Sequence, residues 1–169
     1  MISIADIGDI PEILRIVNKA FRGEDSKKGW TTEAFLIEGD QRTDEKDIEE
    51  LIRNENSWVL KYTKDNKIVA NVNLQKQGDA LYLGMFSVDP EMQGQGIGKK
   101  ILLAAVEFAK ERGCAKITMS VISLRQELIA WYIKNGYAKT GQEKPFPTEN
   151  KFGKPVVPLK FIILEKKII

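Results

Sequence analysis

Histidine is absent from all 169 residues, and cysteine occurs once, at Cys114. The first absence removes Ser-His-Asp and Cys-His nucleophiles, histidine metal sites and any mechanism built on a histidine base. The second removes an intramolecular disulfide and a cysteine-only zinc cluster. No apolar run approaches the ~18 residues of a membrane span. The start, MISIADIGDI, lacks the basic stretch and apolar run of a signal peptide. The expectation is a cytoplasmic protein with no metal and no membrane partner. Chemistry is left to carboxylates, hydroxyls, lysines, backbone amides or a borrowed cofactor.

The composition that remains is that of a globular chain, 43% hydrophobic and 30% charged. Its length fits a single domain over residues 1–169. A net charge of +2 gives no argument for nucleic acid. The charges are uneven, however. Residues 33–50 hold eight acids against Arg42 and Lys46, and residues 139–169 hold seven lysines against three glutamates. Each run taken alone reads as a solvated face. The lysine-rich end has no accompanying aromatic–basic motif, so no nucleic-acid partner is expected.

Hydrophobic periodicity sets out the elements. Ile2 and Ile4 alternate as a short strand. Asp9 is placed to cap a helix with Pro11 in its first turn, and Ile10, Ile13, Leu14, Val17 and Phe21 keep helical spacing. Residues 22–43 form a connection long enough to suggest a functional role. Thr43 or Asp44 starts a second helix ending near Arg53. Strands over 57–63 and 67–75 flank an Asp65-Asn66 turn. Residues 80–88, ALYLGMFSV, are apolar throughout, as a strand buried on both faces requires. A helix from Ile97 stops at Gly113 and another over 124–134 stops at Gly136, with a strand over 116–121 between them. Strands over 136–141 and 157–164 enclose a loop at 142–156. The order β-α-α-β-β-β-α-β-α-β-β predicts an α/β (α+β) domain with a mixed sheet and helices on its faces.

The most informative segment is Met85 to Lys100, MFSVDPEMQGQGIGKK. A buried strand ends at Asp89-Pro90, and three alternating glycines open a helix. Such a turn lets a ligand approach backbone amides closely, and the helix start adds unpaired N–H groups and a partial positive charge. Together they suit a diphosphate. The P-loop pattern fails at Gln93 and Lys100. The dinucleotide pattern G-x-G-x-x-G fails at Lys99 or Ile101, depending on its start. Gln93-Gly94-Gln95-Gly96-Ile97-Gly98 fits Q/R-x-x-G-x-G/A in full. At this turn the sequence resembles the GNAT superfamily of N-acetyltransferases; the alternative is a purely structural glycine bend. Trp131-Tyr132-Ile133-Lys134-Asn135-Gly136-Tyr137 is similar to the same family's Y-x-x-x-G-F/Y signature.

The resemblance implies a mixed, mostly antiparallel sheet of about seven strands with about four helices. It implies acetyl-CoA as cosubstrate, no metal, and direct transfer of the acetyl group to an amine, in a small molecule or a peptide. Gln93, Gly94, Gln95, Gly96, Ile97, Gly98, Lys99 and Lys100 would hold the pyrophosphate. The backbone from Met85 through Phe86, Ser87 and Val88 would pair with the pantetheine arm, and the amide of Phe86 or Ser87 would meet the thioester oxygen. Tyr132 would protonate the leaving thiolate; the alternative is a core tyrosine with its hydroxyl bonded. Where many members carry asparagine and alanine, this chain has Arg125 and Leu128. Arg125 would reach a CoA phosphate or pair on the surface. The acceptor pocket would come from residues 22–43 and 142–156, the latter carrying Phe146 and Phe152. Its acidic run would attract a cationic amine, with Glu38 and Asp40 as candidate bases. Family habit and the apolar Ile168-Ile169 end suggest a homodimer. A non-catalytic acyl-CoA sensor or interaction module is the alternative function.

Overall fold

The computed structural model describes residues 1–147 and 152–168. The chain begins with β1 (Ile2–Ile4), α1 (Ile10–Phe21), the single turn α2 (Gly23–Ser26), the short β2 (Ile37–Glu38) and α3 (Glu45–Arg53). Three long strands follow: β3 (Ser57–Lys64), β4 (Lys67–Gln77) and β5 (Ala80–Val88). After them come α4 (Ile97–Glu111), β6 (Lys116–Ile122), α5 (Gln126–Lys134), β7 (Ala138–Pro145), β8 (Lys154–Pro155) and β9 (Lys160–Lys167).

Seven strands form one sheet in the order β1-β3-β4-β5-β6-β9-β7. Only β5 and β6 run parallel; the other neighbours are antiparallel. Successive side chains of a strand point to opposite faces, so β3 sends Val59 to one core cluster and Leu60 to another. The first cluster is covered by Ile10, Ile13, Ile16 and Val17 of α1 and Ile48 of α3. The second takes Ile97, Ile101, Ala105 and Phe108 of α4 and Ile129 and Tyr132 of α5. Each fully buried aliphatic side chain of these stripes contributes roughly 1.5–3 kcal/mol. No helix among the described residues is long and apolar enough to cross a membrane.

Local chemistry sets the ends. Asp65 (φ 51°) and Asn66 (φ 62°) make the mirror-image turn that suits a two-residue hairpin. Asp44 caps α3 by accepting from the Asp47 N–H at 2.8 Å. Asp9 does not cap α1 through its side chain. Its carboxylate instead accepts from the Asp6 N–H at 2.9 Å and from Lys61 Nζ at 2.7 Å. The largest departure from the sequence reading lies at the C-terminal end. β7 continues to Pro145 through an irregular register between Lys139 and Glu143, and β9 inserts between β6 and β7. The reason is burial: β9 carries the buried Ile163 and Leu164, whereas β7 is polar and mostly exposed and so takes the edge. Ile168 packs against the core and donates its N–H to the Ala115 oxygen at 2.9 Å; Ile169 lies outside the described residues.

Candidate functional site

Parallel pairing between β5 and β6 covers only Ala80–Tyr82 against Lys116–Thr118. Beyond it the strands diverge, and Leu83–Val88 and Met119–Ile122 line a cavity of about 810 Å³. The divergence has a local cause. The β4–β5 register shifts between Asn71 and Asn73, and Met85 takes a left-handed φ of 48°. A residue with a side chain rarely adopts that conformation. The buried Asn71 holds it there, donating from Nδ2 to the Met85 oxygen at 2.9 Å. The Asn71 Oδ1 is buried with no partner. The edge of β5 facing the gap thus offers backbone N–H and C=O groups to an extended ligand.

At the same end of β5 the glycine turn leads into α4. Gly94 (φ 84°) and Gly96 (φ 78°) both take the left-handed conformation, and a Cβ on either would meet nothing within 4 Å. No side chain caps the helix, and Lys100 makes the first bond back, to the Gly96 oxygen at 3.1 Å. The N–H groups of Ile97, Gly98 and Lys99 are therefore free for an anion. Gln93 fixes the turn: its Oε1 accepts from the Trp30 N–H at 2.9 Å and its Nε2 donates to the Val88 oxygen at 3.1 Å. Gln93, Gly94, Gly96, Ile97, Gly98 and Lys99 line the cavity. Gln95 and Lys100 are not among the lining residues. Successive residues turn by about 100° around a helix, so adjacent lysines cannot share one face. Lys100 lies over the Tyr62 ring, 5.9 Å from its centroid, and Gln95 Oε1 accepts from Lys64 Nζ at 2.8 Å.

Tyr132, Phe86 and Trp131 bring aromatic rings to the cavity wall. Tyr132 meets Trp131 edge-on at 5.3 Å and Tyr137 at 5.7 Å, with Phe86 at 6.5 Å. The ring is held from several sides. Burial pushes its phenol well above the ordinary value of 10.0, and the Arg125 charge acts in the opposite direction. The hydroxyl keeps its proton at neutral pH. No hydrogen bond of that hydroxyl is formed among the described residues.

The carboxylate at the cavity is Glu33, not Glu38 or Asp40. Arg22 Nε donates to Glu33 Oε1 at 3.0 Å, and Arg125 donates to Oε2 at 3.2 Å. Arg125 also donates to Thr31 Oγ1 at 2.7 Å, and its Nε is buried without a partner. Arg125 is thus neither a surface pair nor part of the glycine turn; it clamps the 22–43 connection to the start of α5. Glu38 sits in β2, which pairs with β8, and both Glu38 and Asp40 are exposed away from the lining. Phe152 offers its carbonyl to Arg22 at 2.7 Å, and Phe146 packs on Phe161 at 5.2 Å. Neither ring lines the cavity, although Trp30, Arg42, Lys144, Pro145 and Pro147 from the same two connections do. The sequence reading missed the Arg22–Glu33–Arg125 cluster because its members are far apart in sequence and carry no spacing signal. Asn71 did leave a signal: a polar residue in a strand buried on both faces.

A family model described as the Acetyltransferase (GNAT) family matches residues 12–137. Human N-acetyltransferase 8B is 29% identical over 126 residues, covering 69% of this chain and 53% of that protein. Bovine thialysine N-epsilon-acetyltransferase is 34% identical over 56 residues, covering 33% of each chain. The matches thus span about half or a third of these relatives' own length. Among solved structures, the ribosomal-protein-S18-alanine N-acetyltransferase of Escherichia coli shares the fold with a TM-score of 0.74 at 20% identity, covering 99% of this chain and 93% of that one. The paia N-acetyltransferase of Thermoplasma acidophilum, solved in complex with coenzyme A, gives a TM-score of 0.64 at 20% identity, with 99% of each chain covered.

Proposed function

The chain belongs to the GNAT acetyltransferase family, and from that premise we propose that it moves an acetyl group from acetyl-CoA directly to an amine held in the cavity. The observation that carries this reading is the gap between β5 and β6, which opens beside the uncapped start of α4. Its features fit the cosubstrate part by part. The free N–H groups of Ile97, Gly98 and Lys99, with the Lys99 charge, would hold a diphosphate. The edge of β5 from Met85 to Val88 would pair with an extended pantetheine arm.

When bound, acetyl-CoA supplies an acetyl group already activated as a thioester, which a neutral amine can take without a covalent enzyme intermediate. The chain contributes position and charge. The amide of Phe86 or Ser87 donates to the carbonyl oxygen as negative charge builds on it. Tyr132, protonated at neutral pH, would give its phenol proton to the departing sulfur and take one back through water as the attacking nitrogen releases its own. No base is assigned to Glu38 or Asp40, since they stand outside the cavity lining. Glu33 has both oxygens engaged by arginines. Among the described residues the lining carries Arg42, Lys99, Arg125 and Lys144 against Glu33. This positive field disfavours an ammonium ion, so the amine enters neutral and its surplus proton passes to water.

The test is mass spectrometry of a broad panel of small amines and amino-terminal peptides incubated with acetyl-CoA and the protein. Enzyme-dependent acetylation of at least one amine is expected. Tight acetyl-CoA binding with no acetylated product across the panel would instead favour a sensor.

A further inference from the structure

The charge of the cavity runs against the expectation of an acidic acceptor pocket, and it narrows the acceptor. Two guanidinium groups flank one aromatic ring: the Arg42 carbon lies 5.5 Å from the Phe21 centroid and the Arg125 carbon 5.8 Å. Phe21, Arg42 and Arg125 all line the cavity. Arg125 shares the carboxylate of Glu33 with Arg22, and the Glu127 carboxylate reaches Arg125 only through Thr31 Oγ1, which donates to Glu127 at 2.9 Å and accepts from Arg125 at 2.7 Å. Arg42 makes no salt bridge among the described residues. Its side chain is only partly buried, and its backbone is fixed by donation from its N–H to Asn18 Oδ1. It is a cation at a cavity wall with no carboxylate partner among the described residues.

This corner is built from the end of α1 and the connection after it, whereas the diphosphate features sit at the start of α4. Lys99 and the helix N–H groups already answer the diphosphate. The second positive centre has no counterpart in the reacting amine, which must arrive neutral. A guanidinium is matched in shape by a planar or tetrahedral oxyanion, to which it can donate two parallel hydrogen bonds.

We propose that the acceptor is a small amine that also carries an oxyanionic group, a carboxylate or a phosphate, and that Arg42 binds that group. This rests on the acetyl-transfer reading above. The anion sits in the Phe21–Arg42–Arg125 corner, and its attachment directs the amine toward the β5 edge and the thioester. A cationic polyamine would meet repulsion with nothing to offset it, and an unsubstituted alkylamine, entering neutral, would have no group to engage Arg42.

Matched pairs test this: an amino acid with its decarboxylated amine, and an amino phosphate ester with the parent amino alcohol, each at saturating acetyl-CoA. The acid-bearing member of at least one pair should have the higher kcat/KM, by about tenfold or more, the scale of one charge-assisted contact. Which pair shows it distinguishes carboxylate from phosphate. In Arg42→Gln the acceptor KM should rise by about the same factor, with the KM for acetyl-CoA unchanged, and Arg42→Lys should recover part of the loss. Equal or better turnover of the members lacking the oxyanion overturns the proposal and leaves acetyl transfer standing. A rise in the KM for acetyl-CoA in Arg42→Gln overturns it as well, by assigning Arg42 to the cosubstrate. Acetyl-CoA binding without turnover of any pair overturns the proposal, and the acetyl-transfer reading then stands or falls on the broad panel of amines and peptides.

Discussion

Tyr132 is the residue whose two roles, packing and proton donation, can be separated by one oxygen atom. Its ring is held by Trp131, Tyr137 and Phe86, and all three contacts survive in Tyr132→Phe. Melting temperature and CoA affinity should therefore barely change, while turnover falls about 10²-fold if the hydroxyl protonates the thiolate. A folded Tyr132→Phe protein with wild-type kcat, where chemistry limits the rate, would show the tyrosine to be structural. Burial also gives stability a pH dependence of definite sign. It raises the Tyr132 phenol, and it raises that of Tyr137, which the neighbouring Tyr132 pushes further the same way. Between 10 and the folded values the unfolded chain has lost protons that the folded chain keeps. Stability present below pH 10 is thus lost as pH rises, by up to about 1.4 kcal/mol per pH unit for each tyrosine. Chemical denaturation from pH 9 to 11 should show a shallower decline in Tyr137→Phe than in wild type. Parallel declines would mean that the Tyr137 phenol ionises as readily folded as unfolded.

At the scale of elements, the site depends on a bend at which Asn71 makes the shorter of two side-chain hydrogen bonds. Asn71 on β4 holds the Met85 carbonyl, and Met85 carries the left-handed φ at which β5 turns away from β6. In Asn71→Ala the buried Met85 carbonyl loses its shorter donor and keeps only Ser87 Oγ at 3.4 Å, at a cost of about 1–3 kcal/mol. Because the Phe86 and Ser87 amides follow directly, kcat should fall as well, while the affinity for CoA, anchored at α4, falls less. Denaturant melts and kinetics on one preparation would check both, and unchanged kcat with lowered stability would confine Asn71 to the fold. Elements of this kind were legible to different degrees. The apolar run of β5, the amphipathic stripe of α4 and the glycines between them are local patterns, and the sequence places them within a residue or two. The insertion of β9 between β6 and β7 is set by which strand has more apolar surface to bury, a comparison between distant segments. The same holds for the site. The glycine turn from Gln93 to Lys99 could be read from its spacing together with its place between a buried strand and a helix, although Gln95 turns away from the cavity. Glu33 could not be separated from the other acids of its run, because only the fold brings Arg22 and Arg125 to it.

The whole molecule joins two chemically different halves around one gap. The α4 side offers free backbone N–H groups, and the α1 side, with its connection, offers guanidinium groups and aromatic rings. The sheet between them is continuous at one end and open at the other. This opening is the proposed acetyl-CoA site, with the diphosphate at the start of α4. Gly96 is the position to probe, because its added Cβ faces open space and its φ of 78° lies where the turn meets the helix. Glutamate there would put bulk and negative charge where a diphosphate must lie. Isothermal titration of acetyl-CoA into the wild-type protein and into folded Gly96→Glu measures this directly. A diphosphate at this turn requires one-to-one binding to wild type and a loss of more than about 2 kcal/mol, roughly 30-fold, in the variant. Equal affinities, or no binding to the wild-type protein, would contradict it.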